Sequence, residues 1–173
     1  MIVDLNNTTE YDKQIIYLNS KNATFNKTGT FDFYINFEDP IKNISSVKII
    51  DASIFLNRDD LNYDDIYYIE LNDYHRISTS VNVKGSTFKY FDAIPFNHTD
   101  YHNDSLSKFK IVYGLTSSNW TDPTLYTLNP IEHNTRRFNI IIRNKDFNIL
   151  NLEGGEFFNM TICVYTIKKN IYG

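Results

Sequence analysis

A single cysteine, Cys163, rules out an internal disulfide framework and fits a reducing compartment such as the cytosol. It lies inside an alternating segment with no histidine near it in sequence, so it reads as a small, inert strand residue rather than a nucleophile. Alanine is almost as scarce. Ala23, Ala52 and Ala93 are the only three, so the best helix former is nearly missing. No stretch of helical period supports more than one or two short helical turns. No run approaches the roughly 20 apolar residues of a spanning helix. Met1 to Glu10 has no basic segment followed by an apolar run. Neither direct membrane insertion nor a secretory signal is therefore expected.

A basic excess is lacking too. The net charge is −4, and basic residues are scattered apart from Arg136-Arg137 and Lys168-Lys169, which read as solvated strand ends. Phosphate backbones need a basic field, so nucleic acid is not an expected partner. There is no glycine-rich phosphate loop, no Gly-x-Ser-x-Gly elbow and no His-Glu-x-x-His. Carboxylates are numerous, but nothing singles out one pair for acid–base work. The chain is not expected to be an enzyme; no catalytic residue and no cofactor is expected.

What is present is alternation. From Thr30 to Phe37, Phe31, Phe33, Ile35 and Phe37 fall on one face, and Asp32, Tyr34 and Asn36 on the other. From Phe158 to Tyr165, Phe158, Met160, Ile162 and Val164 share a face opposite Asn159, Thr161, Cys163 and Tyr165. Period two is the signature of half-buried strands. Aromatic residues make up 16% of the chain, with 13 Tyr and 13 Phe, which also favours pleated, half-buried surfaces. The 173 residues suit one domain.

Residues 1–28 read as a polar arm with one apolar patch, Ile15-Ile16-Tyr17-Leu18. Thr28-Gly29 turns into the first strong strand, and Asp39-Pro40 is expected to end it. A strand over 46–56 changes its alternating face near Ile49-Ile50, which predicts a bulge or bend. Further strands are expected at 67–71, 77–83, 87–96, 109–113 and 137–143. A short one at 125–128 reads as an extension of a neighbour, and a last strand follows the Gly154-Gly155 turn. Eight or nine strands with evenly spaced turns suit a single eight-stranded antiparallel jelly roll, a two-sheet sandwich, over residues 29–173.

Few constellations carry chemistry. His98, Asp100 and His102 alternate in a polar loop and are the weak candidates for a metal site. Asp60 to Asp64 opens like a calcium loop, but the sixth position is Asp65 rather than Gly and the twelfth is Leu71 rather than Glu. The aromatics Tyr63, Tyr67, Tyr68, Tyr90, Phe91, Tyr101, Tyr113, Trp120 and Tyr126 exceed what one core needs. Tyr and Trp combine contact area with hydrogen bonding, so Tyr34, Tyr63, Tyr67, Tyr101, Trp120 and Tyr165 are the interface candidates. Nine Asn-x-Ser/Thr sequons are present, but luminal glycosylation is not expected without a signal.

The order of segments resembles a known family. The segments are Phe31-Asp32-Phe33-Tyr34-Ile35-Asn36-Phe37, Val47 to Ile54 and Tyr67-Tyr68-Ile69-Glu70-Leu71, then Trp120-Thr121-Asp122-Pro123, Leu128-Asn129-Pro130, Arg136-Arg137-Phe138-Asn139-Ile140 and Arg143 to Asn148. Together they resemble the single jelly-roll penton and minor capsid proteins of large nucleocytoplasmic double-stranded DNA viruses, over residues 30–167. The resemblance implies a structural virion protein assembled in the host cytoplasm. It would cap five-fold vertices as a homopentamer, beside the major capsid protein and other minor capsid proteins. It would carry no catalytic residues. A minor cement protein between capsomers is the alternative within the family.

Outside it stand two other readings. One is a carbohydrate-binding attachment module whose His98–His102 loop holds a metal. The other is a jelly-roll oxygenase using His98, Asp100 and His133. In the jelly-roll reading, 31–37 and 158–164 pair side by side in one sheet, and the arm contacts neighbouring capsomers.

Overall fold

The computed structural model describes residues 11–57, 66–75, 77–81, 86–95 and 125–168. The chain is all-β, and every strand pairing among the described residues is antiparallel. The strands are β1 (Tyr11–Asn19), β2 (Thr24–Phe25), β3 (Asp32–Phe55), β4 (Ile66–Leu71), β5 (Ile77–Val81), β6 (Ser86–Tyr90), β7 (Asp92–Pro95), β8 (Tyr126–Arg143) and β9 (Phe157–Ile167). A 3-10 turn at Ser20–Asn22 is the one helical element among the described residues. One sheet runs β1-β9-β3-β8-β4-β7 with β2 paired to β3, and β5 and β6 form a separate pair.

The 24-residue β3 organises this sheet. Its first half lies along β8, with Phe33 opposite Ile140 and Ile35 opposite Phe138. Its second half lies along β9, with Val47 opposite Val164 and Ile54 opposite Phe158. The sheet therefore curls, and inward side chains of both halves meet in one core. Phe31, Phe33, Phe138, Phe158, Met160 and Ile162 are all fully buried there. Full burial of a Phe or Ile side chain stabilises by roughly 1.5–3 kcal/mol, so these alternating faces dominate the core. The segments 31–37 and 158–164 are not side by side. They face one another across the core, because β3 bends between its two halves.

Proline does not end β3 at Pro40. The ladder to β8 is interrupted between Asn36 and Ile41, so Pro40 sits where no ladder hydrogen bond is required of it, and the strand resumes beyond. A second interruption falls between Ile44 and Ser46, opposite residues 128–131 of β8, which contain the cis Asn129-Pro130 bond. The change of face near Ile49-Ile50 is a register shift against β9 between Ile49 and Asp51. The segment 125–128 is indeed an extension, since β8 runs unbroken from Tyr126.

Residues 11–19, read from sequence as part of an arm, form β1 and pair with β9 from Tyr11–Ile167 to Asn19–Asn159. Leu18 turns inward and is buried. The buried Ser20 hydroxyl accepts the Phe158 N–H at 2.8 Å, tying the 3-10 turn to the start of β9. Gly29 and Gly155 adopt φ of +75° and +86° in the two turns expected there, a conformation that glycine takes without steric cost.

Candidate functional site

Among the described residues, most of the surplus aromatics pack against other aromatic rings. Tyr67, Tyr90 and Phe91 are buried. Tyr68 stacks on Phe147 at 4.7 Å and contacts Tyr90 at 4.8 Å. Phe88 closes the group at 4.5 Å from Phe147, and Tyr126 stacks on Tyr74 at 5.4 Å. Tyr67, chosen from sequence as an interface residue, belongs to the core. Its ring stands on the inward face of β4, next in alternation to Ile69 and Leu71. Tyr34 and Tyr165 are half-buried on outward faces, but the structure does not bring them together. Tyr34 lies opposite Asn139 of β8, and Tyr165 opposite Lys13 of β1. Tyr63, Tyr101, Trp120, His98, Asp100 and His102 lie outside the described residues, as do the acidic segment 60–64 and the strand expected at 109–113. His133 is exposed, its Nδ1 3.1 Å from the Asn43 side-chain oxygen. Among the described residues, no three His, Cys, Asp or Glu side chains are placed to hold a metal. No helix among them is long and apolar enough to cross a membrane.

Two outward surfaces stand out. The first belongs to β1. Tyr11, Ile15 and Tyr17 are 57%, 55% and 60% exposed. Their spacings of four and two residues put all three on one face, away from Leu18. Single exposed apolar residues are ordinary, but three on one face of one strand, with Lys13 between Tyr11 and Ile15, form a patch. On β9 the half-buried Tyr165 borders the patch opposite Lys13, and Cys163 lies opposite Ile15. Cys163 is buried, flanked in register by Ile15 and Lys48. Among the described residues β1 is an edge strand of the sheet, and such edges are where pairing with another chain begins. The run Ile15-Ile16-Tyr17-Leu18 shows the patch in the sequence, and the alternation of β1 turns Ile15 and Tyr17 outward.

The second surface is a polar cleft of about 880 Å³ over the outward face of β8. Thr135, Arg137 and Asn139 are successive outward residues of β8. Asn36 of β3 lies opposite Arg137, and Asn72, Tyr74 and Glu132 wall the other side. The geometry is fixed by local bonds. The Asn72 side-chain oxygen accepts from the Asn139 N–H at 2.8 Å, which holds Asn72 at a φ of +47°. The Tyr74 hydroxyl donates to the Glu132 carboxylate. Burial, reinforced by that carboxylate, pushes the Tyr74 phenol well above the ordinary tyrosine range. Glu70, at the cleft's far end, pairs with Arg143. The Arg137 guanidinium lies 5.0 Å over the Tyr34 ring. The sequence places Arg137 at a solvated strand end. It is exposed, but in mid-strand, and its surroundings come from strands distant in sequence. No protein-family model matches the chain, and no curated protein matches it.

Proposed function

We propose that this protein is a structural shell component: a penton-type capsid protein, built as a single jelly roll, that caps five-fold vertices through symmetric subunit contacts. The observation that supports assembly is the exposed row Tyr11, Ile15 and Tyr17 on edge strand β1. A patch of this kind is costly to leave in water and is stabilised when a neighbouring subunit covers it. A ring of five would bury it through a heterologous interface closed by rotation. The segment resemblance favours the vertex role, and a minor cement protein between capsomers uses the same surface logic. The curled, antiparallel all-β architecture is compatible with both.

The test is imaging of the purified full chain by electron microscopy together with mass measurement in solution. Five-fold rings are the expected result. A chain that stays monomeric at high concentration and is absent from purified particles overturns the proposal. A position between capsomers in a particle map selects the cement role.

A further inference from the structure

We infer that copies of this chain join by seating the β1 row of one in an aromatic slot of the next, at the end of the sheet where β3 leaves and β9 enters. The inference rests on the assembly reading and supplies what that reading needs. A ring closed by rotation is built from two different surfaces of each subunit, and the β1 row is one of them. The slot, of about 510 Å³, is the second. It is lined by Phe55, the last residue of β3, and Phe157, the first of β9, which are ladder partners with rings stacked at 4.2 Å. Both rings are half-buried. The Lys21 ammonium lies 3.7 Å over the Phe157 ring, and Leu56 and the Gly154-Gly155 turn also line the slot.

Three observations join the slot to the row. First, Gly154 has no internal reason to be glycine. The Glu156 N–H closes the turn on the Glu153 carbonyl at 3.2 Å. Such a turn requires a positive φ at Gly155, where it is +86°, and not at Gly154. A Cβ at Gly154 would meet nothing within 4 Å. The missing side chain keeps the slot open to a group approaching from outside. Second, the lining fits a tyrosine. Phe55 and Phe157 offer offset or edge contact to another ring, and the Lys21 ammonium offers a donor to a phenol oxygen. Third, a second copy has few such groups to present. Among the described residues the exposed large apolar side chains are Tyr11, Ile15 and Tyr17 of the row and Ile66, the least exposed at 37%. Exposed tyrosine therefore comes from β1 and from no other described element. Slot and row share no residue, so one subunit can use both at once, one toward each neighbour.

The test is cross-linking of the full chain between two variants with a short bismaleimide, mapped by mass spectrometry. Asn57→Cys alters an exposed residue that lines the slot, and Lys13→Cys alters an exposed residue inside the row. Neither removes a ring that the contact uses, and the native Cys163 is buried. Mixed at high concentration, the two variants should cross-link to each other in excess of either like-with-like product. Gly154→Glu adds a side chain into open space. In both partners it should fold as the parent by circular dichroism while lowering the mixed product by roughly tenfold or more, the usual effect of spoiling a central anchor. No cross-link, a preference for Lys13→Cys with itself, or a yield unchanged by folded Gly154→Glu overturns the inference. Electron microscopy of the same samples separates it from the reading on which it rests. Rings that form without the mixed product remove the inference and leave the shell component standing. The mixed product without rings upholds the contact and removes the five-fold reading.

Discussion

The Phe33 and Phe158 rings stand 6.3 Å apart and tilted at 55°, although neither is a ladder partner of the other. Phe33 lies opposite Ile140 and Phe158 opposite Ile54. Their contact is made across the core and exists only because the sheet curls. Phe158→Ala is expected to cost about 3–5 kcal/mol, as for other fully buried aromatics. The double variant with Phe33→Ala should cost less than the sum, since touching residues couple. Urea denaturation measures both, and a loss below about 1 kcal/mol for Phe158→Ala would contradict this packing.

The two faces of β1 should respond oppositely. Ile15→Lys and Tyr17→Ser alter exposed positions. They are expected to change monomer stability by no more than about 0.5 kcal/mol while dissociating any assembly. Leu18→Ala alters the buried face and is expected to cost about 2–5 kcal/mol. Mass measurement and denaturation on the same three variants separate the roles. Assemblies that persist in Ile15→Lys would show that this patch is not the contact.

Stability should fall at alkaline pH through Tyr74. Its folded-state pKa is raised, so between the unfolded value of about 10 and the folded value the native state holds a proton that the unfolded state has lost. The contribution is complete below about pH 10 and declines as pH rises above it. Tyr74→Phe should flatten that decline while lowering stability at neutral pH, because Glu132 loses its donor. Denaturation curves from pH 8 to 11 on both proteins test the sign.

Glu156 is buried at the entry to β9, and its carboxylate accepts from the Asn57 N–H and the Glu153 N–H, each at 2.9 Å. Glu156→Ala leaves both donors without this acceptor and is expected to cost about 1–3 kcal/mol. Glu156→Gln keeps one acceptor oxygen and should cost less. Thermal unfolding that ranks Gln below Ala would refute the assignment.

Periodicity made the strand faces legible. Phe31 and Phe33, like Phe158, Met160, Ile162 and Val164, are buried as their alternation requires, and the broken pattern at Ile49-Ile50 marks a real register shift. Pairing was less legible, because alternation says which face is apolar and nothing about which strand lies alongside. Pro40 misled for a related reason: a proline is forbidden only where the ladder needs its N–H, and the gap in the ladder is a property of β8 as much as of β3. The cleft was hidden for the same cause. Asn36, Asn72 and Arg137 are ordinary polar residues until three strands bring them together, whereas the β1 row could have been found by applying period two to residues 11–19.

The length of β3 also bears on how the chain acquires its structure during synthesis. Ile44 is flanked by Glu132 on one side and Thr166 on the other, both made long after it. A ribosome delivering the chain in order releases β3 with neither neighbour available. Such non-local pairing is intrinsically slow and leaves apolar strand edges open meanwhile. Translation without chaperones should therefore be the step at which this protein is most prone to aggregate, well before any question of assembly arises.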